Sequence, residues 1–305
     1  MPHPSAGIFL RERDLTVGLA PDCGGALTRF EIGFAPSVLE ILRPARADRS
    51  HAYCSLGASC FPLIPYGGRL RDGRFTLEGR SFQLPLNAPP ERHSSHGDGW
   101  TRSWSLTHLD RHSAAMTLDA DDGAPFRYRC VQLIVVKEER LSVELSVCNL
   151  SDHRIPMGFG LHPYFPDRAG AFIRANLPSR WCWDAEMMPT SRETNPDASG
   201  LLRGQAVAQL PVAVEYADWD GRALIDWPQR GLSVELTTTP PLRHAVIWVP
   251  DGEEFFCFEP MSHGTDGFNR RLADGSLEDI LVLDPGAVTH QRFDFLVSRP
   301  GSART

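Results

Sequence analysis

The chain has 305 residues, with 31 Lys+Arg against 38 Asp+Glu and a formal net charge of −7, so a nucleic-acid partner, which needs a basic face, is not expected. Lys137 is the only lysine, and its charged setting in VVKEER excludes a Schiff-base enzyme and a GxxxxGK[ST] phosphate loop. No apolar stretch approaches the roughly 20 residues of a membrane helix, and the N-terminus meets charge too early for a signal peptide. We therefore expect a cytoplasmic protein with no membrane partner.

Short segments between frequent turn residues make up the chain. There are 26 Gly and 25 Pro, which leaves little room for helices, and Ser37–Leu42 is the one short helical candidate. FTLEGRSFQL predicts a hairpin around Glu78–Gly79. The later segments with alternating or wholly apolar character, typical of half-buried strands, are RYRCVQLIVV, RLSVELSVCNL, LSVELTTT, HAVIWVP, FFCFEP and QRFDFLV.

These patterns together predict an all-β protein. RLSVELSV is the clearest strand, because it puts Leu141, Val143 and Leu145 on one face and polar residues on the other. The Pro- and Gly-containing stretch Pro189–Gly204 predicts a long surface loop. Neither a GxGxxG motif nor a regular strand–helix alternation is present, so we expect a sandwich or barrel. No linker interrupts the pattern, and residues 1–305 are expected to form one domain.

The seven cysteines follow no pattern of paired spacing. They are spread along the chain without a CxxC motif, so neither a disulfide framework nor a zinc ribbon is expected. Several of them, including Cys130 and Cys257, lie in apolar runs, which is typical of a small buried hydrophobic side chain.

Candidate functional residues first occur in PLIPYGGRLRDGRF and ERHSSHGDGW. Arg69 follows a Gly-Gly turn, and its five fixed donors suit hydroxyls or a carboxylate. His96 can donate to and accept from sugar hydroxyls, and Trp100 or Trp104 can cover the apolar face of a pyranose or lie in the core. His93 and His96 have a spacing used by metal ligands, but the loop sequence and the absence of HExxH make a metal site weak.

Two further candidates lie in apolar segments. His162 occurs in GFGLHPYFP, where glycines and a proline predict an irregular loop and Tyr164 and Phe165 supply an aromatic wall; the sequence fits a general acid or a core histidine equally well. Glu259 ends the run FFCFE, where loss of solvent can raise its pKa toward that of a useful base, unless it turns out to solvent at the strand end.

Six segments in order resemble the aldose 1-epimerase (galactose mutarotase-like) family. They span nearly the whole chain and are LTVGLAPDCGGALTRFEIG, PLIPYGGRLRDGRF, HSSHGDGW with Trp104, NLSDHRIPMGFGLHPYF, CFEPMSHGTDGFN and LVLDPGAVTHQRFDF. The resemblance implies a large twisted antiparallel β-sandwich of the supersandwich type with an open sugar cleft.

The resemblance also implies roles for four residues. His162 corresponds to the family's general acid, Glu259 to its general base, and Arg69 and His96 to residues that hold sugar hydroxyls. The implied reaction is mutarotation of a hexose or related sugar, an isomerase reaction by ring opening and reclosure. It needs a small-molecule sugar substrate and no metal, nucleotide, other cofactor or covalent intermediate, and it leaves the oligomeric state open.

Two departures from the family pattern bear on sugar specificity. Gly68 replaces the asparagine that usually precedes the arginine, so one hydroxyl contact is expected to be missing or made by water. The family's sugar-binding aspartate aligns with the stretch Val212–Val214, and Glu215 or Asp218 are its candidate substitutes. The alternatives are therefore a hexose-6-phosphate 1-epimerase that uses several arginines as a phosphate clamp, and a sugar-binding protein without catalysis.

Overall fold

The computed structural model describes residues 7–34, 36–46, 53–121 and 127–299, and strands dominate this part of the chain. The first thirteen strands are β1 (Ile8–Glu12), β2 (Leu15–Ala20), β3 (Ala26–Phe34), β4 (Ser37–Leu42), β5 (Cys60–Leu63), β6 (Arg69–Leu70), β7 (Arg74–Leu77), β8 (Arg80–Gln83), β9 (Ser94–Ser95), β10 (Ser105–Leu109), β11 (Ser113–Ala120), β12 (Tyr128–Lys137) and β13 (Arg140–Asn149). The others are β14 (Ile155–Met157), β15 (Gly160–Phe165), β16 (Phe172–Ala175), β17 (Ser179–Trp183), β18 (Pro189–Thr194), β19 (Gln205–Ala206), β20 (Ala213–Ala217), β21 (Arg222–Trp227), β22 (Leu232–Thr239), β23 (His244–Trp248), β24 (Phe256–Met261), β25 (Leu281–Leu283) and β26 (Val288–Ser298).

Helix is confined to short pieces. The described residues contain one α-helix, α1 (Ala198–Arg203), and 3-10 turns at Cys54–Gly57, Arg71–Gly73, Gly99–Thr101, Val207–Gln209 and Pro228–Arg230. Within the described ranges, every helix is too short or too polar to cross a membrane.

Two large antiparallel sheets form the body of the fold. The 11-stranded sheet, here called the site sheet, has the order β1-β2-β3-β5-β15-β24-β23-β20-β17-β18, with β4 paired to β3. The 9-stranded sheet, called the outer sheet, has the order β10-β11-β12-β13-β26-β22-β21-β16-β19. The pairs β6–β9, β7–β8 and β14–β25 are separate two-stranded sheets. The predicted all-β antiparallel architecture is thus confirmed.

The main core lies between the two sheets. Leu141, Val143 and Leu145 of β13 are fully buried, as their alternation predicts, and they belong to one apolar cluster with residues of the site sheet. The Phe30 ring contacts the Phe295 ring across the sheets, with centroids 6.3 Å apart. Each such buried side chain contributes roughly 1.5–3 kcal/mol to folding, so the period-two pattern fixes which face of each strand turns inward.

The hairpin predicted around Glu78–Gly79 is confirmed by the β7–β8 pair. Glu78 and Gly79 have φ values of 50° and 78°, which place both turn residues in the left-handed region, as a two-residue turn matching the strand twist requires.

Two local predictions are wrong. Ser37–Leu42 is a strand that pairs with β3, because ladder hydrogen bonds satisfy its backbone better than a single helical turn, which is marginal alone. Pro189–Gly204, predicted as a loop, contains strand β18 and helix α1. It lies at the surface as expected, since β18 is mostly exposed and is the edge strand of the site sheet.

The prediction about cysteines is wrong for one pair. Cys23 and Cys54 form a disulfide between two loops 31 residues apart in sequence, a separation that no spacing motif marks. Cys130 and Cys257 are free and buried, as their apolar settings predict. The loop that contains Cys54 contacts Trp100: Ser55 Oγ donates to the Trp100 carbonyl, and Tyr53 packs edge-on against the indole.

Candidate active site

His162 and Glu259 lie opposite each other on neighbouring strands. In the β15–β24 ladder, Gly160 pairs with Met261 and Tyr164 with Cys257, so the register places His162 across from Glu259. His162 Nε2 is 3.4 Å from Glu259 Oε1, and the two residues are only 5% and 4% exposed. His162 is therefore part of a central strand, which corrects the predicted irregular loop, and Glu259 does not turn out to solvent.

The pair belongs to a row of side chains that crosses the site sheet. Antiparallel partners share a face, and the successive partners in this row are Phe61, His162, Glu259, Val246, Glu215 and Trp181. A second, smaller apolar cluster covers this face and includes Phe61, Tyr164 and Trp100, with Trp183 and Trp248 at its edge. The site face is thus lined by aromatic rings around one acid–base pair.

Aromatic rings hold the His162 imidazole on three sides. Its centroid lies 4.6 Å from Phe61 and 4.7 Å from Tyr164, both stacked, and 6.2 Å from Trp248, edge-on. The Arg43 guanidinium packs on the Tyr164 ring, with the guanidinium carbon 4.0 Å from the ring centroid. Such packing fixes the imidazole in one orientation and keeps water from its faces.

Burial shifts the two pKa values in opposite directions. It raises the pKa of Glu259 to about 8, against the opposing charge of Arg69. Burial also lowers the pKa of His162 well below its usual value, and the nearby His96 and Arg43 lower it further. In the free protein at neutral pH, the pair therefore holds its proton on Glu259 and keeps the imidazole neutral.

His96 reaches the pair from a strained loop. Its φ is 58°, followed by 69° at Gly97, and its backbone N–H donates to the Gly68 carbonyl at 2.8 Å. Gly68 N–H donates to His96 Nδ1 at 3.2 Å, and burial with the charge of Arg69 lowers the pKa of His96 to about 3. A neutral ring with Nδ1 as acceptor carries its proton on Nε2, so His96 is a hydrogen-bond donor.

Gly97 is required by this loop, and replacing it should destabilise the fold. A Cβ at position 97 would lie 2.2 Å from the Ile64 carbonyl oxygen, so Gly97→Ala is expected to cost about 3 kcal/mol or more through steric overlap and positive φ. Gly79→Ala is the matched control, because φ is also positive there and nothing lies within 4 Å; it should cost only about 1 kcal/mol. Denaturant unfolding measures both, and equal losses would show that the Ile64 contact is unimportant.

Arg69 lies close to His162 and Glu259, but its guanidinium already binds another carboxylate. Its Nε and Nη2 donate to the two carboxylate oxygens of Glu91 at 3.0 and 3.1 Å, and its charge acts on both His96 and Glu259. Sequence reasoning missed Glu91, which lies on a loop with no pattern of its own. Arg71 pairs instead with Asp266, and Arg74 with Gln83.

His96, His162 and Glu259 also form the one candidate metal-ligand set in the described residues. Donor atoms of His96, His162 and Glu259 lie within 4.8 Å of one another, and two imidazoles with a carboxylate match a zinc ligand set. A metal-bound histidine normally donates its other ring N–H to a partner, whereas His162 Nδ1 is buried and has none among the described residues. His93, the predicted companion of His96, instead faces Asp72 and Glu186.

Other expected contributors lie elsewhere. Trp100 and Trp104 are 3% and 2% exposed, so both indoles are core rather than an open sugar face. Tyr164 contacts His162, but Phe165 packs in the main core against Phe256. Trp248, half-buried on strand β23, was missed, because its link to the site comes only from the register Trp248↔Cys257.

The two proposed substitutes for the missing aspartate differ in location. Asp218 pairs with Arg192 and Arg243 and takes no part in the pair's surroundings. Glu215 lies in the same row as Glu259, but it is fully buried and both of its oxygens accept from the Thr265 N–H at 3.1 Å. Neither carboxylate therefore stands free beside the pair.

Known sequences are similar to this one over most of the chain. A family model described as aldose 1-epimerase matches residues 18–295. The chain is 32% identical over 283 residues to the uncharacterized protein YphB of Escherichia coli K12, covering 88% of this chain and 91% of that one. It is 26% identical over 241 residues to the uncharacterized protein YihR of the same organism, covering 73% and 74%.

Solved structures have the same fold. A crystal structure of a candidate aldose 1-epimerase from Escherichia coli K12 superposes with a TM-score of 0.85 at 29% identity, covering 96% of this chain and 99% of that one. A galactose mutarotase-like protein from Clostridium acetobutylicum superposes with a TM-score of 0.84 at 18% identity, covering 95% and 94%. At 18% identity, the similarity to the Clostridium protein shows a shared fold and nothing more.

Proposed function

Since the chain belongs to the aldose 1-epimerase family, we propose that it interconverts the α and β anomers of a free aldose. The observation that carries this proposal is the buried His162–Glu259 pair, with 3.4 Å between the nitrogen and the carboxylate oxygen. A carboxylate and an imidazole at this distance can hold one proton between them, as an acid–base reaction at a single carbon requires.

Ring opening needs two proton transfers that balance. One group of the pair gives its proton to the ring oxygen as the C1–O5 bond breaks, while the other takes the proton of the anomeric hydroxyl as the aldehyde forms. The pair keeps one proton throughout, but the proton changes sides. Rotation about C1–C2 followed by the reverse transfers closes the ring as the other anomer, and no group outside the pair must supply or remove a proton.

We assign His162 as the acid and Glu259 as the base when sugar is bound. In the free protein, burial favours the proton on Glu259. Sugar hydroxyls that donate to the carboxylate favour its charged form, and the proton then passes across the 3.4 Å gap to His162. Arg69 and the Nε2–H of His96 are proposed to hold hydroxyls of the ring and so fix C1 beside the pair.

Measurement of anomer exchange tests this function. Polarimetry or NMR exchange spectroscopy on a panel of aldoses should show interconversion faster than the uncatalysed rate, and the rate should be unchanged after treatment with a chelator. Binding by calorimetry without faster exchange would instead identify a sugar-binding protein. Loss of exchange on chelation, restored by zinc, would assign His96, His162 and Glu259 to a metal site.

The substrate is proposed to be uncharged, because the arginines around the site have partners. Arg69 pairs with Glu91, Arg71 with Asp266, and Arg270 with Glu278. Arg92, next to Glu91 in sequence, lies between Asp72 and Glu186. A phosphate clamp needs two or more guanidinium groups free to converge on one anion, and each of these already faces a carboxylate.

A hexose should therefore be a better substrate than its 6-phosphate. We expect kcat/KM to be about 10-fold or more higher for the neutral sugar, since Glu91, Asp266 and the acidic net charge repel a dianion. NMR exchange rates for the two sugars measure the ratio, which should shrink as salt screens the repulsion. A phosphorylated sugar that is turned over equally well at low salt would contradict the assignment.

A further inference from the structure

The Thr265 hydroxyl occupies the space beside Gly68 where a side chain would begin. A Cβ at position 68 would lie 2.5 Å from Thr265 Oγ1, and φ at Gly68 is 68°, so only glycine fits. Thr265 is 2% exposed, and in the part of the chain that the structure describes its hydroxyl has no hydrogen-bond partner. Thr265 Oγ1 is not among the fully buried polar atoms that lack a partner, so a small polar group can still reach this hydroxyl.

This hydroxyl lies beside the residues proposed to hold the sugar. Gly68 directly precedes Arg69, and its N–H and carbonyl both bond to His96. Arg69 and His96 supply donors only in their charged and Nε2–H forms, respectively, whereas a threonine hydroxyl both donates and accepts. Thr265 thus adds an acceptor next to two donors, a combination that matches a sugar hydroxyl.

Hydrogen bonds on both sides fix the position of Thr265. Its own N–H donates to both oxygens of Glu215 at 3.1 Å. The next residue, Asp266, donates its N–H to the Arg69 carbonyl at 2.7 Å and accepts from the Arg71 N–H at 3.0 Å. The loop that contains Thr265 is therefore hydrogen-bonded to Arg69 of strand β6 and to Arg71 on one side, and to Glu215 of the site sheet on the other.

Two basic side chains lie beside the Glu215 carboxylate. Arg270 Nη1 is 3.8 Å and His244 Nδ1 is 4.0 Å from its carboxylate, and the Arg270 guanidinium stacks on Trp181 with its carbon 3.8 Å from the ring centroid. The Glu215 carboxylate is fully buried and accepts from the Thr265 N–H. It therefore positions the loop that contains Thr265 and does not face a sugar beside Glu259.

We propose that Thr265 is a specificity-determining residue whose hydroxyl binds one ring hydroxyl of the sugar. This inference rests on the proposed function, and it assigns to Thr265 the hydroxyl contact that Gly68 cannot make. The sugar hydroxyl donates to Thr265 Oγ1 while Arg69 or His96 donates to the sugar, which places that hydroxyl on the side of the ring facing the Gly68 backbone.

Substitutions of Thr265, combined with deoxy sugars, test the proposal. Thr265→Val keeps the shape and removes the hydroxyl, so affinity and kcat/KM for the parent sugar should fall about 3- to 10-fold, while Thr265→Ser should stay near the wild type. For the deoxy sugar that lacks the contacted hydroxyl, wild type and Thr265→Val should be equal. Calorimetric binding and NMR exchange are measured for each pair of protein and sugar.

The control and the outcomes separate this inference from the proposed function. Thr238, on strand β22 of the outer sheet, is also buried, and its hydroxyl donates to the Gly221 carbonyl. Thr238→Val should lower stability without changing the choice among sugars. Equal losses by Thr265→Val for every deoxy sugar would overturn the Thr265 contact while wild-type exchange still supports the enzyme. If no sugar binds the wild type, the proposed function and this inference both fail.

Discussion

Glu259→Gln is expected to slow anomer exchange by about 10²- to 10⁴-fold, the range that a positioned proton-transfer group contributes. Glutamine keeps the size of the side chain, but it cannot take a proton from the anomeric hydroxyl. His162→Asn should give a loss of similar size, because the imidazole, 3.4 Å from the carboxylate, is the other member of the proposed acid–base pair. The measurement is the exchange rate by NMR at saturating sugar.

The double variant gives a sharper result. Because each transfer needs both groups, Glu259→Gln combined with His162→Asn should be little slower than either single variant. Glu144→Gln on strand β13 of the outer sheet is the matched control and should exchange anomers at the wild-type rate. Sugar affinity should change little in both site variants, since Arg69 and His96 remain. Single variants that keep more than about a tenth of the wild-type rate would exclude the pair as the acid and the base.

The sequence predicted the strands wherever burial has a period of its own. The alternation around Leu141 and Val143 needs no knowledge of the rest of the chain, since one face of that strand must be covered. Ser37–Leu42 shows the limit: its six residues fit one helical turn as well as a strand, and only the pairing with β3 decides between them. The Cys23–Cys54 bond depends in the same way on how two distant loops meet.

The same limit applies to the residues of the candidate site. His162, Glu259, Arg69 and His96 were found through segments that resemble a family, and the structure brings them within reach of one another. Glu91, Trp248 and Thr265 were not found, because each reaches the site through strand register or a loop contact between residues far apart in sequence. Local sequence carries no signal for such contacts, because they depend on which distant segments the fold brings together.

Stability should depend on pH through Glu259 in a direction opposite to that of an ordinary surface carboxylate. Folding raises the pKa of Glu259 from 4.5 to about 8 through burial, so between these values the folded state binds more protons than the unfolded state. Stability from this group is therefore complete below about pH 4.5 and is lost as the pH rises toward 8. Three histidines whose pKa values are lowered, the half-buried His96 and the buried His162 and His263, act in the opposite sense below about pH 6.5.

Glu259→Gln isolates this contribution, because the variant keeps the histidines and loses only the titrating carboxyl. The free energy of unfolding of the variant, relative to the wild type, should be nearly constant below pH 4.5 and should rise by roughly 5 kcal/mol by pH 9. Denaturant unfolding at intervals from pH 4 to 9 measures the difference, and Glu144→Gln provides a half-buried comparison that should show no such rise. A variant more stable but less active above pH 8 would mean that the buried, ionised carboxylate is kept for catalysis at the expense of stability. Parallel curves for the wild type and Glu259→Gln would show that burial does not hold the Glu259 proton, and the proton of the pair would then have to start on His162.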